Sequence, residues 1–211
     1  MKKLYLPKPK KKKFSSKFND LLDFIQFTHE FREVIRVSRS PNASRYENDS
    51  EHSYQLAMVA WYIIDTDKLK LDKNLCLMYA LSHDLVEIYA GDTYIFDKSA
   101  KNHTLKKIRE RKALLKIKKR FPKFKTLVQI IERYEKKKDK ESGFIYALDK
   151  ILPPIQIFLE NGKLWHEKNV SLEMVIQAKK EKIAVSKNIY KYWEELLKKL
   201  SKNRKKLFPQ Q

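Results

Sequence analysis

The chain has 211 residues, 42% of them hydrophobic, and a formal net charge of +21. That length suits one domain with tails, and the apolar content supplies a core and excludes bulk disorder. Three glycines and one cysteine exclude collagen-like, Gly-rich and disulfide-stapled classes.

The charge is unevenly spread. Residues 1–13 carry +7, 14–97 carry −6, 98–140 carry +14, 141–197 are neutral and 198–211 carry +6. One stretch of a very basic chain is therefore acidic. Lone Cys76 lies in an apolar run and points to a reducing compartment, so a cytoplasmic location is expected. No apolar run is long enough for a membrane span, and the basic N-terminus lacks the apolar core of a secretory signal.

Residues 1–16 read as a flexible basic tail, 17–200 as one helical domain, and 201–211 as a basic C-terminal tail. Residues 18–37 place Leu21, Leu22, Ile25, Phe31, Val34 and Ile35 at helical spacings. Residues 38–50 are turn-formers and read as a loop. A helix is expected over 51–64, with Ser50 or Asp49 as its N-cap. Asp72 opens the next, 74–89, and Gly91 suits its stop. Basic helices follow at 103–120 and 123–138, split at Pro122. Another spans 141–161, where Pro153-Pro154 should kink it or begin a new helix. A last long helix covers 171–200. No stretch alternates with period two, so the fold class is all-α, a single-domain helical bundle.

Two features of the acidic stretch can do chemistry. Glu51-His52 opens a helix after Glu47 and Asp49, and His83-Asp84 lies inside an apolar helix, followed by Glu87 and Asp92. His83 and Glu87, four apart, share a helical face. Leu81, Leu85 and Ile88 suggest burial. Ionisable groups on a buried helix are costly unless paired or bound to metal. Taken alone, a His-Asp pair reads first as a satisfied core histidine beside a surface aspartate, or as a simple His–Glu pair.

His52, His83-Asp84 and the later helical Asp149 resemble the H…HD…D pattern of the HD-domain metal-dependent phosphohydrolases. The segment Glu47-Asn48-Asp49-Ser50-Glu51-His52-Ser53 is similar to the E-N-x-S-E-H-S motif of YfbR-like 5′-deoxynucleotidases. His83-Asp84-Leu85-Val86-Glu87, then Gly91-Asp92, resembles their H-D-x-x-E…G-D motif, and Ala147-Leu148-Asp149-Lys150 their last one. The resemblance covers about residues 20–195 and implies an HD-type bundle with a metal site in its core. It implies that His52, His83, Asp84 and Asp149 hold one divalent transition metal ion (Co, Mn, Zn, Ni or Fe). Two imidazoles and two carboxylates suit such an ion. The metal would activate water and polarise a phosphoryl oxygen.

By the same resemblance, Glu87 is the acid or base, its pKa raised by buried carboxylates nearby. Asp92 holds the attacking water or the sugar. Arg36, with Arg39 and Arg45 close, is the phosphate-binding arginine, since a guanidinium grips phosphate with two parallel bonds. Val37 departs from the family, which places a Trp after that arginine. Phe31 or Tyr46 remains to stack a base. The implied substrate is a (deoxy)nucleoside 5′-monophosphate or another phosphorylated small molecule, and a homodimer is implied as the assembly. Ile88 after Glu87 departs from the H-D-x-x-E-D of stringent-response hydrolases. His29, His103 and His166 match no extra-metal spacing and read as surface or packing histidines.

The basic run 98–140 has a nucleic-acid reading, because clustered Lys and Arg neutralise phosphates. The favoured reading is two amphipathic helices with Lys-rich solvent faces, since Ile117, Leu127 and Ile131 fall at helical spacings. The second function class is thus a regulatory or nucleic-acid-binding protein on the same scaffold, with reduced catalysis.

Overall fold

The computed structural model describes residues 16–39, 45–92 and 100–210, with the backbone alone for 100–104. Helix α1 (Ser16–Arg32) leads into a two-stranded antiparallel ribbon, β1 (Ile35–Arg39) and β2 (Tyr46–Asn48). Then come α2 (Asp49–Thr66), α3 (Lys73–Ser82), the single turn α4 (Glu87–Ala90), α5 (Ala100–Arg120) and α6 (Lys125–Lys136). The remainder is α7 (Lys140–Leu159), the short α8 (Lys163–Glu167), α9 (Leu172–Ala184), α10 (Lys187–Lys202) and α11 (Arg204–Leu207). The described residues thus form a helical bundle with one small ribbon. No described helix is long and apolar enough to cross a membrane.

The main core lies between α2, α3, α7, α9 and α10, around Leu56, Tyr79, Phe144, Leu148, Trp165 and Trp193. A second cluster joins α1, α5 and α6 through Phe27, Phe31, Ile117, Phe121 and Ile131. Each such side chain contributes about 1.5–3 kcal/mol by leaving water. The helices of the basic run bury Ala113, Ile117, Leu127 and Ile131, and many of their lysines stay exposed.

Several boundaries differ from the sequence reading. The helix expected over 18–37 ends at Arg32, because β-branched Val34, Ile35 and Val37 favour extended backbone once β2 offers a partner. Its buried residues are Phe27 and Phe31, while Leu21, Leu22 and Ile25 are exposed. The loop expected over 38–50 contains β2, and residues 40–44 lie outside the described set. The helix expected over 74–89 breaks after Ser82, and Leu81 is exposed rather than buried. The expected 171–200 helix divides at Ser186, whose backbone is extended. Pro153 and Pro154 sit inside α7 without ending it. They supply no N–H to the carbonyls of Asp149 and Lys150, one turn earlier.

The C-terminal segment, read as a basic tail, packs back onto the bundle. Leu207 and Phe208 are buried, and Phe208 stacks on Trp165 with centroids 4.5 Å apart. His166 Nε2 lies 3.0 Å from the Lys206 carbonyl. Gly162 makes this possible: its φ is +75°, and a Cβ there would fall 2.0 Å from the Leu207 carbonyl oxygen. Residues 1–15, most of the expected N-terminal tail, lie outside the described set.

Candidate metal centre

The first motif does two jobs. Asn48 caps α2: its Oδ1 accepts from the Glu51 N–H at 3.0 Å, and Glu51 Oε2 accepts from the Asn48 N–H at 3.1 Å. That box fixes the first turn of α2, so Asp49 and His52 both point into the interior and are fully buried. Glu47, on β2, lies 3.3 Å from His52 Nδ1.

The second motif lies on a tight turn between α3 and α4. Leu85 N–H bonds to the Ser82 carbonyl and Glu87 N–H to that of Asp84, both three residues back. These short-range bonds replace regular helix and bring Asp84 and Glu87 to one cleft, with His83 Nε2 3.0 Å from Asp84. The His83 Nδ1 lies 2.9 Å from the Ala80 carbonyl, which can only accept, so Nδ1 carries the proton. In the neutral ring Nε2 then presents a lone pair.

That lone pair faces other donors. His83 Nε2 is 3.0 Å from Asp84 Oδ2 and 3.9 Å from Asp149 Oδ1, yet it is buried without a hydrogen bond. His52 Nε2 lies 3.0 Å from the same Asp149 oxygen. Asp149 reaches this point from the middle of α7. Three elements thus deliver two imidazole nitrogens and the Asp149 carboxylate to one spot, with Asp84 beside His83. His83 Nε2 and the Asp84 and Asp149 oxygens, acceptors 3.0–3.9 Å away from it, take the spacing of ligands with bonds of about 2 Å to one cation. The donor set therefore fits a divalent transition ion. Of the four residues expected as metal ligands, His52, His83 and Asp149 present atoms within 4.8 Å of one another, and Asp84 meets His83 from a neighbouring group with Asp49 and Glu87.

Electrostatics agree. Burial opposes ionisation of Asp84 and Asp149, but His83 and Arg36 around Asp84, and Lys150 and His52 around Asp149, hold both carboxyls below their usual range. Burial lowers and Asp149 and Glu47 raise the His52 pKa, with a net rise. A proton at His52 thus takes part of the stabilisation that a cation would receive.

Arg36 stands beside this set. Its Nη1 donates to Asp49 Oδ1 and to Asp84 Oδ2, both at 2.9 Å. It lines the cleft on strand β1, where the sequence expected a helix end. Arg39 pairs with Glu167 and Arg45 with Glu51. Glu87 is buried, with Lys106 Nζ 3.3 Å from Oε1 and no hydrogen-bond partner for Oε2. Burial, then Asp84 and Asp92, push its pKa up. Asp92 and Val37 line the same cleft. Phe31 is packed in the second core cluster and Tyr46 lies under Arg39, 5.1 Å from its ring centre. His29 and His166 are exposed, and the His103 side chain lies outside the described set.

Sequence reasoning gave no site role to Lys106, Lys150 or Lys179, all of which line the cleft. Lys150 was visible only as the neighbour of Asp149, and Lys106 and Lys179 were lost among 47 basic residues.

Comparison with known proteins places this geometry. The model of the HD domain family matches residues 28–190. A human protein named 5′-deoxynucleotidase HDDC2 is 32% identical over 133 residues, 62% of this chain and 63% of its own length. The mouse protein of that name is 30% identical over 133 residues, covering 62% of this chain and 64% of its own length. The chain thus matches less than two thirds of these relatives. A crystal structure from Magnetospirillum magnetotacticum, described as a predicted metal-dependent phosphohydrolase, superposes with a TM-score of 0.78 at 26% identity, covering 92% of this chain and 97% of that one. A Pyrococcus furiosus protein shares the fold, with a TM-score of 0.59 at 20% identity over 86% of this chain and 99% of its own. With the family model matched over most of its length, the chain belongs to the HD-domain family.

Proposed function

We propose that this chain is a metal-dependent phosphohydrolase that releases phosphate from (deoxy)nucleoside 5′-monophosphates. The convergence of His52, His83 and Asp149, with Asp84 against His83, carries the reading, because Asp84 and Asp149 open this donor set onto a cleft. The name of the human protein supports the reaction and the substrate class, and that of the Magnetospirillum protein supports the reaction.

One divalent transition ion held by these four residues supplies Lewis-acid chemistry, polarising a phosphoryl oxygen and making water more acidic. The chain's own groups do the rest. Glu87, whose burial and neighbouring carboxylates favour the protonated form, is placed to offer a proton from Oε2 to the departing oxygen. Lys106 fixes the other carboxyl oxygen. Asp92 accepts from the attacking water or a sugar hydroxyl. Arg36 keeps Asp84 in place through Nη1 and directs its remaining donors to the phosphate. The apolar wall of Pro154, Ile157, Trp165 and Val175 accommodates the nucleoside.

Phosphate release from a panel of 5′-nucleotides and 5′-deoxynucleotides, with Co²⁺, Mn²⁺ or Zn²⁺ added, tests this reading. Turnover of at least one nucleotide that stops on chelation is expected. No turnover with any metal, together with tight salt-sensitive polynucleotide binding, favours the second function class.

A further inference from the structure

Four cationic side chains line the cleft: Arg36, Lys106, Lys150 and Lys179. Three hold carboxylates. Arg36 bonds to Asp49 and Asp84, Lys106 pairs with Glu87 and Glu110, and Lys150 pairs with Asp149. Lys179, on α9, differs. It is only 6% exposed, yet among the described residues it makes no hydrogen bond or ion pair.

The side chain is almost wholly buried, yet it borders the cleft and its nitrogen has no carboxylate partner among the described residues, so it is open to an anion there. Lys179 and Val175, four residues apart on α9, share the face that borders the cleft. Burial and the neighbouring Lys150 push the Lys179 pKa down to about 7. Lys179 lines the same cleft as Asp84 and Asp149. The cleft is otherwise rich in carboxylates, which repel a phosphate dianion. An unpaired ammonium at its wall is the group that offsets this repulsion.

We propose that Lys179 binds a phosphoryl oxygen of the substrate, so that its missing counter-ion is the substrate itself. The proposal rests on the phosphohydrolase reading for its substrate, but its test does not need turnover. An arriving phosphate gives Lys179 a charge-assisted hydrogen bond. Lysine suits this task as a compact point charge with three donors.

The test is calorimetric titration of inorganic phosphate into the metal-loaded protein, for wild type, Lys179→Met, Lys179→Gln and Lys179→Arg. Metal content and thermal melting are recorded for each variant. Phosphate affinity is expected to fall at least tenfold in Lys179→Met and to recover in part in Lys179→Arg, at unchanged metal content. With any nucleotide that turns over, KM rises more than kcat falls. Lys179→Gln keeps a polar group and reads out charge alone if Lys179→Met fails to fold. Wild-type phosphate affinity in folded Lys179→Met or Lys179→Gln overturns the proposal, as does failure of wild type to bind phosphate. If wild type binds phosphate through Lys179 but hydrolyses no nucleotide, the substrate reading falls and Lys179 stands as an anion ligand.

Discussion

Arg36 Nη1 donates to Asp84 Oδ2 at 2.9 Å, and that same oxygen lies 3.0 Å from His83 Nε2. One carboxylate oxygen therefore lies between the strand β1 guanidinium and a histidine lone pair. Arg36 compensates Asp49 and Asp84 together, and both are carboxylates of the site. Asp49 shows how finely they are balanced: burial and Asp84 outweigh Arg36 and push its pKa up to about 7.

Removing Arg36 leaves buried acids uncompensated. Breaking one partner of a buried pair costs roughly 3–5 kcal/mol. Arg36→Met should therefore lower the melting temperature of the metal-free protein by about 10 °C. Added divalent metal should restore more of that loss than it adds to wild type. Thermal melts with and without metal check this; an unchanged melting temperature contradicts it.

Metal binding should release protons. The His52 pKa is raised above its ordinary value of 6.5, so a proton competes with the metal as pH falls through and below that raised value. Metal affinity should thus be greatest in the alkaline range and weaken steadily toward pH 5. Titrations in two buffers of different ionisation enthalpy count the released protons. Pairing with Asp149 and Glu47 favours the charged ring, so His52→Gln should flatten this dependence as well as weaken binding.

The sequence carried the chemistry more legibly than the path of the backbone. Histidine is rare in this chain, five in all, and the spacings of His52, His83, Asp84 and Asp149 survive even when the helix boundaries shift. The turn at 83–86 was hidden because Leu85, Val86 and Ile88 continue an apolar helical pattern past the break at Ser82. The ribbon was hidden because its strands are short, and their pairing depends on a contact 13 residues away, Ile35 with Asn48. The role of Lys179 could not be read locally. It follows an ordinary Lys-rich helix pattern, and only the packing of α9 against α7 shows that it is buried.

Lys179 makes stability depend on pH in a specific direction. Its pKa is about 7 in the fold and 10.5 ordinarily, so between these values the unfolded chain binds the extra proton. The penalty for burying the ammonium is full below pH 7 and is relieved as pH rises toward 10.5. Lys179→Met should therefore raise the melting temperature by several degrees at pH 6.5 and by much less at pH 9.5. A stabilisation that is equal at both values contradicts this account.

Gly162 tests the C-terminal segment. A Cβ would collide with the Leu207 backbone, and the positive φ strains any other residue. Gly162→Ala should cost about 2–3 kcal/mol and free the segment that carries Phe208 from Trp165. Chemical denaturation measures the cost, and faster proteolysis beyond residue 200 reports the release. A wild-type denaturation midpoint contradicts the close packing.

The central claim is that His52, His83, Asp84 and Asp149 hold the metal that drives phosphate release. The direct measurement is phosphate release from 5′-nucleotides by metal-loaded wild type and by His83→Ala, with bound metal quantified in both. The account predicts one metal per wild-type chain and turnover of at least one nucleotide. It also predicts loss of most bound metal in His83→Ala, with a fall in rate of at least about a hundredfold. Full metal content and undiminished turnover in His83→Ala would contradict it.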